Sequence, residues 1–235
     1  MNFVRGVRLN RSKEQNTYPF NIPAVRHLYT AECLSFCKPI TFFVGENGTG
    51  KSTLIEAIAV ALGYNPEGGT KNHVFHTKHT HSELSDYLTI IKSTVPDNGF
   101  FLRAESFYNM ASYLEEVGFG SSLHKQSHGE SFLAVARNRF KSNGLYILDE
   151  PEAALSPQGL MSLLVIMDEL VKSNCQFIIA THSPILMAYP NADILQFGDY
   201  GIKKVGYKET DHYLITKQFL EGPERMMAHL LSDRA

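Results

Sequence analysis

The sequence predicts an α/β fold with a mostly parallel central sheet, helices on its faces, an antiparallel β portion and a small helical lobe. The first observation is a set of short apolar runs, rich in β-branched and aromatic residues, at residues 40–44, 100–102, 145–148 and 177–180. The second is that segments with helical spacing lie between these runs. Strands that alternate with helices are typical of parallel sheets with crossover connections.

The N-terminal part begins with a predicted strand at residues 3–9. Residues 25–36 are ambiguous and favour a pair of strands. Apolar residues at helical spacing predict a helix over residues 53–62, which the Gly- and Pro-containing segment 63–69 ends. Residues 70–98 are polar and rich in His, so we expect an inserted surface segment there.

The C-terminal part contains most of the predicted helices. They are expected at residues 105–117 and 130–140, after the Ser-Pro pairs at 156–157 and 183–184, and over the tail at 211–232. The Ser-Pro pairs indicate helix starts because Ser is a good N-cap and Pro fits the first helical position. Two short apolar runs around residues 198–201 favour a β-hairpin.

The 235 residues are predicted to form one domain, residues 1–235, with a core lobe at 1–63 and 144–235 and an inserted, helical lobe at 64–143. A net charge of −2 argues against a generally basic surface that coats nucleic acid. Three cysteines form no even disulfide framework, which suits a reducing compartment. No apolar run approaches the roughly 18 residues that cross a bilayer, so we expect a cytoplasmic protein.

A complete phosphate-binding loop of the form G-x-x-x-x-G-K-S occupies residues 45–52, between a predicted strand and a predicted helix. Glycines let successive backbone N–H groups point at one anion, and the helix N-terminus adds partial positive charge. Lys51 can reach the β- and γ-phosphates of a nucleotide, and the Ser52 hydroxyl can ligate Mg²⁺. The residues expected to contact the nucleotide here are Gly45, Glu46, Asn47, Gly48, Thr49, Gly50, Lys51, Ser52 and Thr53.

Two carboxylates, Asp149 and Glu150, end the predicted strand at residues 145–148. A parallel strand beside the phosphate-loop strand would deliver both carboxylates to the phosphates. Asp149 would then serve Mg²⁺, directly or through water. Glu150 is placed to polarise the attacking water.

Two further polar groups stand at the ends of predicted elements. His182 follows the strand at residues 177–180 and can hydrogen-bond a γ-phosphate. Residues 126–131 open a helix with a Ser/Gly turn, which is a second type of anion site. This loop comes too late in the chain to share the loop that holds Lys51, so Ser127 and Gly129 are expected to meet a nucleotide held by another subunit.

In order and spacing, these four motifs resemble the ATP-binding cassette (ABC) class of P-loop ATPases. The resemblance implies the ABC-type fold, ATP with Mg²⁺ as the bound cofactor pair, and hydrolysis of the β-γ phosphoanhydride. Lys51, Glu150 and His182 would be the catalytic residues, with Glu150 as general base and His182 as switch histidine. Ser52 and Asp149 would hold the metal ion.

The same resemblance implies a homodimer in which two ATP molecules lie between head-to-tail protomers. Ser127 and Gly129 would touch the γ-phosphate of the opposite protomer. The signature Gln-Ser-His-Gly-Glu at residues 126–130 and the Glu-Pro-Glu sequence at 150–152 resemble small stand-alone bacterial ATPases of the RecF/SMC/OLD-like (AAA-like) group. No Gln follows the strand at 100–102, where the class has its Q-loop.

Three functions stay open from the sequence. The leading one is an ATPase that dimerises on ATP and opens on hydrolysis. The second is the nucleotide-binding subunit of a membrane transporter, against which the missing Q-loop Gln and the altered signature argue. The third is a slow, ATP-gated module that binds DNA or a nuclease partner.

Some residues have two interpretations. His73, His76, His79 and His81 have a spacing that could bind a metal, although a polar lid or partner-binding loop is preferred. Either Tyr18 or Phe20 could stack on adenine, or both could belong to the core. Glu105 is a candidate contact for water or Mg²⁺.

Overall fold

The computed structural model describes residues 2–10, 17–70, 82–104 and 128–232. The strands in that part of the chain are β1 Val4–Leu9, β2 Leu34–Ser35, β3 Ile40–Gly45, β4 Leu88–Lys92, β5 Asn98–Arg103, β6 Gly144–Asp149, β7 Gln176–Ala180, β8 Asp193–Gly198 and β9 Gly201–Val205.

The α-helices of the same part are α1 Pro23–Thr30, α2 Lys51–Ala61, α3 His128–Arg139, α4 Pro157–Lys172, α5 Pro184–Met187, α6 Asp211–Glu221 and α7 Pro223–Ser232. Short 3-10 turns cover Glu83–Tyr87, Pro151–Ala154 and Tyr207–Glu209. The Ser156 hydroxyl accepts a hydrogen bond from Gly159 N at 3.2 Å, so the predicted cap of α4 is formed.

The central sheet has six strands in the order β5-β6-β7-β3-β8-β9. All neighbouring pairs are parallel except β8 and β9, which form the predicted hairpin. Every residue of β3, β6 and β7 is buried, because helices cover both faces of the sheet. Phe43 belongs to the core cluster that contains α2, whereas its neighbours Phe42 and Val44 belong to the cluster that contains α3 and α4. The predicted α/β class is confirmed.

A smaller antiparallel sheet, in the order β2-β1-β4, lies beside the central one. The buried Gln176 side chain of β7 connects the two sheets, because its amide pairs with both backbone groups of Val4. Val4 N donates to Gln176 Oε1 at 2.9 Å, and Gln176 Nε2 donates to Val4 O at 2.8 Å. A side chain therefore takes the place of a strand partner at this junction.

The expectation of a strand pair at residues 25–36 is wrong for most of that segment. Residues 25–30 belong to helix α1, and only β2 near its end is a strand. Pro23 starts the helix, and Ala24, Val25 and Leu28 point into the core. The buried positions have helical spacing, so tertiary packing overrides the β propensity of the individual residues.

Part of the predicted inserted lobe at residues 64–143 belongs to the sheets instead. Strand β4 pairs with β1, and β5 forms the edge of the central sheet beside β6. The expectation of a surface insert at 70–98 is therefore corrected for β4 and for the first residue of β5. The helix predicted at 105–117 lies outside the described residues.

Candidate functional site

The phosphate loop connects β3 to α2 as predicted. Gly45 has φ 141° and Gly50 has φ 98°, values in the left-handed half of the backbone map. A methyl group on Gly50 would lie 2.5 Å from Ile22 Cγ2, so the loop also needs a residue without Cβ for steric reasons. Thr49 Oγ1 donates to Glu46 O at 2.8 Å across the loop. The tip of the loop, formed by Glu46, Asn47 and Gly48, is exposed.

Lys51 begins α2 and turns back over the loop. Its Nζ donates to Gly45 O at 2.8 Å and to Glu46 O at 3.0 Å. Burial lowers the pKa of Lys51, and the carboxylates of Glu150 and Asp149 oppose that shift. The ammonium group is thus held at the loop that is expected to receive phosphate. Ser52 and Thr53 follow it on the half-buried first turn.

Ser52 and Asp149 are in contact although β3, which leads into the phosphate loop, and β6, which ends at Asp149, are not neighbouring strands. We expected β6 to lie beside β3, but β7 lies between them. The Ser52 hydroxyl nevertheless donates to Asp149 Oδ1 at 3.0 Å, because α2 starts above the carboxyl ends of these strands. Asp149 is buried, with 5% of its surface exposed. The predicted hydroxyl and carboxylate pair is therefore assembled by the helix start rather than by adjacent strands.

Arg103 is a site residue whose contacts the sequence did not indicate. It ends β5, and its Nη1 donates to Glu56 Oε2 on α2 at 2.7 Å. Its Nε lies 3.6 Å from Asp149 Oδ2. The guanidinium group thus connects the helix that follows the phosphate loop to the acidic strand end. Glu105, the sequence candidate for this region, lies outside the described residues.

Glu150 directly follows β6 and has a left-handed backbone conformation with φ 52°. Its N–H donates to Ala180 O on β7 at 2.9 Å. Its Oε1 lies 3.7 Å from His182 Nε2, and 39% of the side chain is exposed. A non-glycine residue with this backbone conformation is uncommon, and such positions concentrate at functional sites.

Glu152 is a second residue that the sequence analysis did not single out. Its Oε2 accepts from Thr181 Oγ1 at 2.8 Å, and its Oε1 accepts from His182 N at 2.5 Å. Burial raises the pKa of Glu152, while these hydrogen bonds act in the opposite direction. The turn that follows Glu150 is thereby fixed to the segment that carries His182. Its place in the Glu-Pro-Glu sequence was the available signal.

His182 lies next to Glu150, and it also contacts a residue that no motif indicated. His182 Nδ1 lies 3.0 Å from Nε2 of His212, which is on the first turn of α6. Burial lowers the pKa of both imidazoles, and nearby Lys51 adds to the shift in each. The neutral form of both rings is thereby favoured. The contact joins positions that are 30 residues apart, which explains why local patterns did not reveal it.

The signature region is described only in part, because Ser127 lies outside the described residues. Gly129 is on the first turn of α3, close to the turn that follows Glu150. A methyl group on Gly129 would lie 3.1 Å from Ala154 O and 3.8 Å from Leu155 Cδ2. Of the aromatic candidates, Phe20 is buried and packs edge-on against Tyr87, whereas Tyr18 is 66% exposed. The aromatic position open to a nucleotide base is thus Tyr18, and Phe20 is a core residue.

The histidines at positions 73, 76, 79 and 81 lie outside the described residues, so their metal-binding interpretation stays a prediction. Among the residues that the structure describes, no group of three or more His, Cys, Asp or Glu side chains could hold a metal ion.

Two family models match this chain. Residues 24–111 match a model described as an AAA domain. Residues 121–188 match a model described as "AAA domain, putative AbiEii toxin, Type IV TA system". The first match contains the phosphate loop, and the second contains Asp149, Glu150 and His182.

Both AAA-domain matches fall on the motif regions from which the sequence predicts an ABC-class P-loop ATPase. They support the predicted recognition as an ABC-class P-loop ATPase. Among curated proteins, the chain is 24% identical over 193 residues to the ribose import ATP-binding protein RbsA of Halalkalibacterium halodurans, across 69% of this chain and 38% of that protein. It is 26% identical over 203 residues to the energy-coupling factor transporter ATP-binding protein EcfA2 of Mycoplasmopsis pulmonis, across 68% of this chain and 66% of that protein. The chain thus spans less than two thirds of each relative.

A solved structure has a similar fold. The chain matches CbiO1 from Clostridium perfringens, part of the ABC transporter complex CbiONQ, with a TM-score of 0.50 and 15% identity. That match covers 99% of this chain and 100% of CbiO1. In the segments 2–10, 17–70, 82–104 and 128–232, no helix has the length and apolar character that a membrane span requires.

Proposed function

We propose that this chain hydrolyses ATP between two head-to-tail copies of itself and uses the cycle of closing and opening as a conformational switch. The observation that carries the proposal is the convergence of Lys51, the Ser52–Asp149 pair and the Glu150–His182 pair at the carboxyl ends of β3, β6 and β7. Ligands of open α/β sheets bind at this edge. We further propose a cytoplasmic location.

Each side chain has a distinct task in this mechanism. The backbone of residues 45–52 and the start of α2 hold the phosphates, and Lys51 moves its ammonium from the loop carbonyls to the γ-phosphate. Glu150 accepts a hydrogen bond from the attacking water and orients it toward the γ-phosphorus. His182 Nε2 stabilises the charge that develops on the γ-phosphate oxygens.

The residues fit a magnesium site. Ser52 Oγ and Asp149 Oδ1 are 3.0 Å apart and supply the hydroxyl and carboxylate oxygens that Mg²⁺ prefers. When bound, Mg²⁺ would neutralise charge on the β- and γ-phosphates. The role of the protein is to present both oxygens from a rigid strand end and a rigid helix start.

The dimer is supported by the exposure of the catalytic carboxylate. The Glu150 side chain is 39% exposed, and hydrolysis is favoured in a site that excludes bulk water. A second copy would cover this opening with its signature residues Ser127 and Gly129. The γ-phosphate would then connect the two copies, and its loss on hydrolysis would release them.

The test is the solution mass of wild type and Glu150→Gln, each with and without Mg·ATP, together with phosphate release. We expect Glu150→Gln to form an ATP-dependent dimer and to lose turnover. The matched control is Glu169→Gln on the exposed surface of α4, which should behave as wild type. A monomeric Glu150→Gln protein beside an active wild type would overturn the dimer and leave a single-site ATPase.

A transporter subunit is the second candidate, because RbsA and EcfA2 carry transport names. Arg103 occupies the position where a Q-loop Gln is expected, and it is engaged by Glu56 rather than free for a membrane partner. Co-purification with a polytopic membrane protein would favour this candidate. An ATP-dependent, salt-sensitive gain in DNA affinity would instead favour the DNA- or nuclease-binding module.

A further inference from the structure

His212 stands at the edge of the candidate site and has no role in the mechanism above. It lies on the first turn of α6, and its Nε2 is 3.0 Å from His182 Nδ1. The other ring nitrogen of His182, Nε2, is buried and has no hydrogen-bond partner in the part of the chain that the structure describes. That nitrogen is 3.7 Å from Glu150 Oε1. His182 therefore contacts His212 through Nδ1, and its Nε2 faces Glu150.

A separation of 3.0 Å between two imidazole nitrogens requires one shared proton. Two lone pairs would repel at this distance, and two N–H groups would clash. Either His212 donates to His182, or His182 donates to His212. The two possibilities differ in what His182 presents at Nε2, because a neutral imidazole has one donor nitrogen and one acceptor nitrogen.

The surroundings favour His212 as the donor. If His182 donated from Nδ1, its Nε2 lone pair would face the Glu150 carboxylate at 3.7 Å, which is electrostatically unfavourable. If His212 donates, His182 carries its proton on Nε2 and presents an N–H to Glu150. The other charged groups that act on these rings are Lys51, Glu46 and Asp211. Burial and Lys51 disfavour an additional proton on either ring, and the carboxylates oppose that effect. With both rings neutral, only donation from His212 avoids a lone-pair contact between His182 Nε2 and Glu150.

The backbone holds His212 in place. Helix α6 begins after Thr210, which is fully buried and whose hydroxyl accepts from Tyr213 N at 3.3 Å. Next to His212, Asp211 Oδ2 accepts from Gln196 Nε2 of β8 at 2.6 Å. Since β8 pairs with β3, the first turn of α6 is tied to the strand that enters the phosphate loop.

We propose that His212 is a positioning residue that fixes the proton of His182 on Nε2, so that His182 faces the γ-phosphate as a hydrogen-bond donor. The inference rests on the proposed function for its consequence in catalysis. The inference also connects the C-terminal helices to the nucleotide site, because a shift of α6 would remove the hydrogen-bond donor that fixes the proton of His182 on Nε2.

The test uses four variants of the full chain, one of them only for the NMR assignment, and two readouts. His212→Phe keeps a ring but removes the donor, His212→Gln restores an N–H donor, and His229→Phe on exposed α7 is the matched control. The first readout is the tautomer of His182 from ¹⁵N-resolved NMR, assigned by comparison with His182→Gln. The second is steady-state ATP hydrolysis, with kcat and KM determined separately.

We expect His182 to be the Nε2–H tautomer in wild type. In His212→Phe, His182 should no longer be held in that single tautomer. The kcat of His212→Phe should fall about tenfold, the effect of one net hydrogen bond, with KM for ATP within twofold of wild type. His212→Gln should recover most of the rate, and His229→Phe should match wild type.

Three results would overturn the inference while the proposed function stands. They are a wild-type His182 protonated on Nδ1, a His212→Phe protein with unchanged kcat, and a His212→Gln protein as impaired as His212→Phe. The first of these needs no His212 variant and therefore holds even if His212→Phe fails to fold. A wild type that releases no phosphate overturns the proposed function itself.

Discussion

At the scale of single residues, the arginine that ends β5 connects two carboxylates, one on α2 and one at the end of β6. Arg103 contacts Glu56 at 2.7 Å and Asp149 at 3.6 Å, and its side chain is 20% exposed. Removal of one member from a mostly buried charged group leaves the other charges uncompensated. Arg103 therefore contributes to folding, and it also sets the charge around the residue that would hold Mg²⁺.

We expect Arg103→Ala to lower the free energy of unfolding by about 1–3 kcal/mol, because Glu56 and Asp149 lose their shared partner. A double-mutant cycle with Glu56→Gln, measured by urea denaturation, should give a coupling free energy of about 1 kcal/mol or more. The exposed pair Lys172–Asp168 is the control cycle and should show a smaller coupling. Strictly additive effects of Arg103→Ala and Glu56→Gln would contradict the assignment.

The two histidines also predict a pH dependence of stability. Burial lowers the pKa of His182 and of His212 below the ordinary value of 6.5, so the unfolded chain binds protons more readily than the folded chain. Stability is then complete above about pH 6.5 and is lost as the pH falls toward the folded pKa values. Urea denaturation between about pH 7 and pH 5.5 should give a smaller loss for His212→Gln than for wild type. An equal loss of unfolding free energy in wild type and His212→Gln over this pH range would contradict the lowered pKa of His212.

At the scale of elements, one side-chain amide joins β7 to β1. Gln176 is fully buried and pairs with the N–H and the C=O of Val4. Gln176→Leu would leave both backbone groups without their present partner. We expect a loss of about 2–3 kcal/mol in the free energy of unfolding. Gln158→Leu on the exposed start of α4 is the control and should change stability by less than about 0.5 kcal/mol. A Gln176→Leu protein as stable as this control would contradict the role of the amide.

Elements were predictable where the pattern that defines them is local. Strand β3 is a continuous apolar run, and Gly50 and Lys51 mark the start of α2, so both were located from the sequence. Helix α1 was mistaken for strands because its few β-prone residues outweighed the signal of Pro23. Strand β4 is only half buried, and its partner β1 lies about 80 residues earlier, so its alternation is weak and its pairing is not encoded nearby.

The residues of the candidate site were likewise predictable only where their signal in the sequence is local. Lys51, Ser52, Asp149, Glu150 and His182 were found because each follows a recognisable strand or loop. Arg103, Glu152 and His212 act through contacts across elements, so only the folded chain reveals them. The position of β7 between β3 and β6 is a further example, because strand order depends on crossover connections and not on the strands themselves.

At the scale of the whole molecule, the described contacts join the parts of the site into one unit. Glu152 fixes the turn after Glu150 to the His182 segment. Arg103 ties the acidic strand end to α2, and His212 ties His182 to the C-terminal helices. The catalytic groups are therefore not independent, and substitutions among them should show coupled effects on turnover rather than additive ones.

The first turn of α3 rests on the turn that follows Glu150, since a methyl group on Gly129 would lie 3.1 Å from Ala154 O. In the proposed dimer, each chain holds one ATP at its phosphate loop and touches the other ATP with its signature. The contact within each chain would then couple the two ATP sites. The rate of phosphate release should therefore rise sigmoidally with ATP concentration, with a Hill coefficient above one and no greater than about two. Gly129→Ala should bring that coefficient toward one. A hyperbolic curve for wild type would mean that the two sites act independently.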